Sequence, residues 1–175
     1  LIVGLGKTGL SCARYLAAHG VPVAITDTRE KPPGLEALRS ELPDLALFLG
    51  GFDASVFDAA ERLVVSPGVP VSEPLIQQAM ERGVPVVGDI ELFAQVADAP
   101  VVAITGSNGK STVTTLVGAM AEQAGLRTKI GGNLGEPALD LLGQGAEIYV
   151  LELSSFQLET TSTLHAKAAV VLNIS

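Results

Sequence analysis

The 175 residues contain one cysteine, Cys12. That excludes an internal disulfide and any cysteine-cluster metal site. The thiol lies in an apolar, helix-like stretch, LSCARYLAA, where it is expected to be a buried bystander. Basic residues are also scarce: 11 Lys+Arg against 19 Asp+Glu give a net charge of -8. An acidic chain leaves no basic footprint for a phosphate backbone, so no nucleic-acid partner is expected. The two histidines, His19 and His165, have no companions suggesting a metal site or a triad, and no Ser-His-Asp arrangement is visible. No apolar run approaches the roughly 20 residues that cross a bilayer. The N-terminus lacks the basic, apolar, small-residue order of a signal peptide. A cytoplasmic protein with no membrane partner is expected, and no solenoid-period repeat is present.

What is abundant is apolar: 47% of the residues are hydrophobic and only 17% charged, enough to bury a real core. Short β-branched runs (LIVGLG, VPVAITD, LALFLG, RLVVSPG, VPVVG, VVAITG, EIYVLEL, AAVVLNI) alternate with helix-period stretches. The helices are expected over about residues 9–19, 74–82 and 110–124. Strands alternating with helical crossovers, each bounded by Gly, Pro or Asp, indicate parallel βαβ units and a doubly wound α/β class. Two strand-glycine-helix openings, at Gly4 and Gly106, predict two domains, 1–97 and 98–175, each with a site at the C-terminal edge of its sheet. Both ends fall inside strand-like runs, the last reading as a buried strand. The chain is therefore expected to be a piece of something longer, with the second domain truncated.

The first opening, GLGKTG at residues 4–9, has glycines that allow a tight turn and close approach of a diphosphate, followed by a helix N-terminus offering N–H groups. Gly6, Lys7 and Thr8 are its candidate contacts. Asp27 ends the next strand where a dinucleotide fingerprint wants a ribose ligand, and Thr28 and Arg29 follow it. Alone, this half would read as NAD or NADP binding, with Arg29 facing a 2′-phosphate. The glycines could instead serve only close helix–strand packing, or a diphosphate that is not part of NAD. Ser66-Pro67-Gly68 ends another strand and is either a plain turn or part of the same crevice.

The second opening runs Gly106-Ser107-Asn108-Gly109-Lys110-Ser111-Thr112. Its G-x-x-G-K-S is shorter than the usual phosphate loop, with Ile104 at the position of the first glycine. The chemistry is retained: N–H groups to cradle phosphates, Lys110 to reach β and γ oxygens, and the Ser111 hydroxyl for Mg2+. The plain alternative is a helix start capped by Ser107 or Asn108 with Lys110 in solvent. Glu152, in YVLELSSFQ, is a lone carboxylate among Val150, Leu151 and Leu153, costly to bury unless it meets a cation and otherwise a strand end facing water. Ser154 and Gln157 fit a capping box. Asn133, in the glycine-rich turn GGNLG, either takes a left-handed conformation or points its amide at a ligand.

These segments together, with DTR at 27–29, GDIELF at 88–93, AITGSNGKSTVTT at 103–115 and LELSSFQLE at 151–159, resemble the Mur ligase family over essentially the whole chain. The resemblance implies a three-domain enzyme. This chain would hold a Rossmann-like UDP-substrate domain and the first part of a P-loop ATPase-type α/β domain, the C-terminal domain for D-glutamate lying outside it. GDIELF and SSFQLE favour the branch that joins D-glutamate to UDP-N-acetylmuramoyl-L-alanine through an acyl phosphate. By that pattern Gly6, Lys7 and Thr8 face the diphosphate and Asp27, Thr28 and Arg29 the uridine end. Gly68, Asn133 and Ser154 touch the muramoyl substrate. Residues 106–112 bind ATP, Ser111 and Glu152 hold Mg2+, and Lys110 and Glu152 are catalytic. A monomer is expected, and the 175 residues alone are expected to bind substrate but not to ligate. The rivals are another Mur ligase adding a different residue, an NAD(P)-binding oxidoreductase domain, or a nucleotide-binding module without catalysis.

Overall fold

A computed structural model describes residues 1–174. The chain divides into two compact units, Leu1–Asp89 and from Ile90 onward. The second unit thus begins at Ile90 rather than at the expected residue 98, because the helix there packs into it. Phe93 meets Tyr149 edge-on at 5.0 Å, and Glu91 accepts the N–H groups of Ser162 (2.7 Å) and Thr163 (2.9 Å).

The first unit alternates strand and helix: β1 (Ile2–Val3), α1 (Lys7–Ala18), β2 (Ala24–Asp27), α2 (Leu35–Glu41), β3 (Ala46–Leu49), α3 (Ala54–Asp58), β4 (Leu63–Val65), α4 (Pro74–Glu81) and β5 (Val86–Val87). All strand pairs are parallel, in the order β3-β2-β1-β4-β5. Val3, Phe57, Leu63, Val65, Ile76 and Ala79 form one buried cluster. α1 buries Gly9, Leu10, Ser11, Cys12 and Ala13, all but Leu10 small enough to let the helix close on the sheet. Cys12 is buried as expected. α4 starts on Pro74, whose missing N–H costs nothing at a first helical position.

The helix α5 (Asp89–Ala94) leads into β6 (Val101–Thr105), α6 (Lys110–Gln123), β7 (Thr128–Gly132), a 3₁₀ turn (Ala138–Leu141), β8 (Ile148–Glu152), α7 (Ser155–Glu159) and β9 (Ala168–Val171). This sheet is also parallel, in the order β7-β8-β6-β9. The fold class is the expected one, two parallel α/β units. The last strand departs from expectation: all four residues of β9 are exposed, because it pairs with β6 on one side only and its apolar side chains line an open cleft with Leu158 and Leu164.

The capping box is present: the Gln157 N–H donates to Ser154 Oγ (3.2 Å), and the Ser154 N–H donates to Gln157 Oε1 (3.1 Å). In β7, the left-handed conformations fall on Gly132 (φ 94°) and, just beyond, on Gly135 (φ 67°). No non-glycine among the described residues has positive φ, so Asn133 does not take the left-handed form.

Candidate functional site

In the first unit the strand order reverses between β1 and β4, and open parallel sheets bind ligands in the crevice at such a point. The loop after β1 and the turn after β4 meet there. Gly4 (φ 97°) donates its N–H to the Thr26 carbonyl (2.8 Å) and accepts the Ser66 hydroxyl on its own carbonyl oxygen (2.9 Å). A Cβ on Gly9 would overlap that same oxygen, so only glycine lets α1 approach so closely. α1 has Gly6 as its N-cap and no capping side chain. Its first turn therefore presents N–H groups without intrahelical acceptors, at the positive end of the helix dipole. Lys7 is exposed and Thr8 half-buried beside them. Gly68 is exposed in the turn closed by the Val69 N–H on the Ser66 carbonyl (2.9 Å).

Asp27 is 2% exposed, and its carboxylate turns to its own loop. Oδ2 accepts the Leu5 N–H (2.7 Å) and Arg29 Nη2 (2.6 Å), while Oδ1 accepts the Arg29 N–H (2.9 Å) and Nε (2.8 Å). Burial alone would raise its pKa. The Arg29 guanidinium and the two backbone N–H groups outweigh burial and hold the carboxyl at about 2. A carboxylate accepts about four hydrogen bonds. The side chain expected to meet a ribose hydroxyl is thus saturated, and Thr28 and Arg29 are the exposed members of the trio.

In the second unit, parallel pairing sets Ile104 opposite Glu152, so the loop after β6 and the end of β8 lie side by side. Gly109 (φ 82°) is the N-cap of α6, without a capping side chain. The alternative in which Ser107 or Asn108 caps the helix therefore falls away. Lys110 is not free in solvent: Nζ folds back on the carbonyls of Gly106 (2.7 Å) and Ser107 (3.3 Å). Ser111 and Thr112 are exposed in the first turn. The Ser111 hydroxyl donates to Glu152 Oε2 (2.7 Å), and Asn133 Nδ2 donates to Oε1 (2.6 Å). The Asn133 N–H also reaches the Glu152 carbonyl (2.8 Å). Ser154 is half-buried at the start of α7 and engaged in its cap.

Glu152 is only 2% exposed and both of these partners are neutral. A buried carboxylate held by neutral donors suits a cation, and a hydroxyl with a carboxylate is a hard oxygen pair of the kind Mg2+ takes while keeping several waters. Among the described residues no three His, Cys, Asp or Glu gather into a fuller metal cage.

Sequence reasoning missed Asn173. Its carbonyl accepts the Ser107 N–H (3.1 Å), and its side-chain amide bonds the Asn108 peptide (2.8 and 3.0 Å). These partners are 65 residues apart in the Asn108 case, and the only sequence signal was a polar residue directly after an apolar strand.

The chain is two successive parallel α/β units, each with a glycine loop opening a helix, and in the second Lys110 follows the loop directly. Residues 1–88 match the Mur ligase MurD-like N-terminal domain and residues 104–175 the Mur ligase middle domain; the chain belongs to the Mur ligase family. It is 61% identical over 175 residues to the UDP-N-acetylmuramoylalanine--D-glutamate ligase of Marinobacter nauticus, covering all of this chain and 39% of that relative. It is 63% identical over 176 residues to the enzyme of the same name from Nitrosococcus oceani, with the same coverage. The chain thus spans about two fifths of the length of these relatives. Two solved structures share the fold. The UDP-N-acetylmuramate:L-alanyl-gamma-D-glutamyl-meso-diaminopimelate ligase from Neisseria meningitides matches at TM-score 0.60 and 19% identity, over 99% of this chain and 60% of its own. The UDP-N-acetylmuramate-alanine ligase MurC from Thermotoga maritima matches at TM-score 0.56 and 19% identity, over 99% and 40%.

Proposed function

We propose that this chain forms the substrate- and ATP-binding part of a ligase that joins D-glutamate to UDP-N-acetylmuramoyl-L-alanine in the cytoplasm. The observation that carries the reading is the cluster Lys110, Ser111, Glu152 and Asn133 at the head of α6, supported by relatives of that name at about three fifths identity. The first unit takes the UDP moiety at the β1/β4 crevice. The diphosphate lies on the first turn of α1 beside Gly6, Lys7 and Thr8, the uridine end meets Thr28 and Arg29, and Gly68 lines the muramoyl side. Asp27 acts there by shaping the loop through Leu5 and Arg29. The second unit takes ATP on residues 106–112.

The reaction joins a carboxylate to an amine. A carboxylate oxygen of the substrate bonds to the γ phosphorus of ATP and ADP leaves. The amine of D-glutamate then attacks the acyl phosphate, losing a proton to solvent as inorganic phosphate departs. Two anions must meet in the first step, so positive charge has to be concentrated locally in a protein that is acidic overall. The α6 dipole and first-turn N–H groups supply part of it. Lys110 supplies more by leaving the Gly106 carbonyl for the β and γ oxygens. Ser111 and Glu152 would hold Mg2+, which when bound adds charge neutralisation on the phosphates. Asn133 keeps Glu152 oriented through its side-chain amide.

The test is calorimetric titration with UDP-N-acetylmuramoyl-L-alanine, with NADH and NADPH in parallel. Saturable binding of the UDP compound alone is expected. Binding of a nicotinamide cofactor alone would overturn the reading in favour of an oxidoreductase domain.

A further inference from the structure

We infer that Asn173 is a positioning residue for the nucleotide loop, a clamp on residues 107 and 108 that leaves the first turn of α6 to receive phosphate. The inference rests on reading residues 106–112 as the ATP loop.

The clamp follows from the sheet. β9 runs parallel to β6 with Val171 opposite Thr105, so the two strands end level and whatever follows one lies against whatever follows the other. The Leu172 N–H continues the ladder to the Thr105 carbonyl (2.9 Å). Asn173 then takes over. Its main-chain carbonyl accepts the Ser107 N–H (3.1 Å), Oδ1 accepts the Asn108 N–H (2.8 Å), and Nδ2 donates to the Asn108 carbonyl (3.0 Å). A backbone N–H can only donate, so the orientation of the Asn173 amide is fixed by its partner. A side chain must offer one acceptor and one donor at this reach to bond both the N–H and the C=O of the same residue. Aspartate lacks the donor and alanine lacks both.

The same segment packs against a glycine. Gly106 has φ 144°, and a Cβ there would lie 3.1 Å from the Asn173 nitrogen and 3.2 Å from its carbonyl oxygen. The Leu172 Cβ lies equally near at 3.1 Å, so the segment carrying Asn173 crowds Gly106 while its positive φ already favours glycine. With the N–H groups of Ser107 and Asn108 already directed to Asn173, phosphate falls to those of residues 109–112, where the helix has no internal acceptors.

The experiment compares the intact protein with its Asn173→Ala, Asn173→Asp and Lys110→Ala variants. It reads amide hydrogen exchange at Asn108 without nucleotide and the Kd for β,γ-imido-ATP with Mg2+. Asn173→Ala is expected to speed exchange at Asn108 by about fivefold, the size of one lost hydrogen bond, and to raise the Kd by a similar factor. Asn173→Asp restores the acceptor and so the slow exchange at Asn108. It leaves the Kd at or above the alanine value, because the donor is gone and a negative charge lies by the loop. Affinity for UDP-N-acetylmuramoyl-L-alanine stays within about twofold throughout, since that site belongs to the first unit. Unchanged exchange and unchanged Kd in Asn173→Ala would overturn the inference, as would a parallel loss of UDP-substrate binding, which would mean general unfolding. Should the wild type and Lys110→Ala bind the nucleotide equally poorly, the ATP reading itself fails, and exchange at Asn108 still decides whether the clamp exists.

Discussion

The two glycine loops look alike in sequence and differ in how their nearby carboxylate is held. At the first, Asp27 is closed off by a guanidinium and two backbone N–H groups. At the second, Glu152 is equally buried but meets only a hydroxyl and an amide. A carboxylate paired with a guanidinium shapes a loop, whereas Glu152, with two donors on about four acceptor positions, keeps oxygen lone pairs that a cation can take. The loops differ in packing too. A Cβ on Gly9 would strike backbone, while the nearest atom to one on Gly109 is Leu172 Cδ1 at 3.9 Å. Glycine is required by backbone packing at Gly9 in the first loop, whereas at Gly109 the positive φ alone favours it.

Removing the cation of the second loop should break the comparison most. In a full-length ligase containing this chain, Lys110→Ala is expected to lower ATP-dependent turnover by roughly a hundredfold or more, the usual cost of losing a charge-stabilising donor. Affinity for the UDP compound should not change, as parallel calorimetry and ADP-release assays would reveal. Next comes Gly9→Ala, where overlap with the Gly4 carbonyl should destabilise the first unit by about 2 kcal/mol. Its urea midpoint should fall, with peptides of the second unit keeping their hydrogen-exchange protection.

Acid gives a smaller and more selective effect. Asp27 titrates near 3.8 when unfolded and is held at about 2 when folded. The stability it contributes is therefore complete above pH about 4 and lost as pH falls from about 4 towards 2. The half-exposed Arg29 weakens the pair by solvent screening, so the loss should be about 1 kcal/mol, and Asp27→Asn should flatten that part of the acid curve. The smallest effect separates two kinds of clamp. In the second unit Glu91 is also held at about 2. Burial would raise it, but the N–H groups of Ser162 and Thr163, the Thr163 hydroxyl and the Gln95 amide prevail. None of those donors is charged. Raising the salt to 1 M should cost the Asp27 pair a few tenths of a kcal/mol and leave Glu91 untouched, readable as a shift in the acid midpoint of one unit only.

Local patterns carried much of this structure. The strands, the helices at residues 74 and 110, the two glycine openings and the capping box at Ser154 are legible because propensity, period and turn chemistry are properties of neighbours in sequence. Lys110, Ser111 and Glu152 were legible as residue types, and the pairing of β6 with β8 supplied their proximity. What stayed hidden acts across the chain. Asp27 met Leu5, Glu91 met Ser162 and Thr163, and Asn173 met Asn108, all at separations where pattern says nothing. The burial of β9 was misread because an apolar strand has the same sequence whether its faces are covered or open. The unit boundary moved to Ile90 because the packing of Phe93 on Tyr149 is a tertiary choice.

The single thiol has a use beyond packing. Cys12 is 1% exposed on the inner face of α1, the helix whose first turn borders the β1/β4 crevice. A disulfide reagent can reach it only when α1 lifts from the sheet. In this chain the rate of thiol modification is therefore a stopwatch for breathing of the first unit, silent to the second. A ligand that settles on the first turn of α1 should slow that stopwatch, and one confined to the loop at Lys110 should leave it running at the same pace.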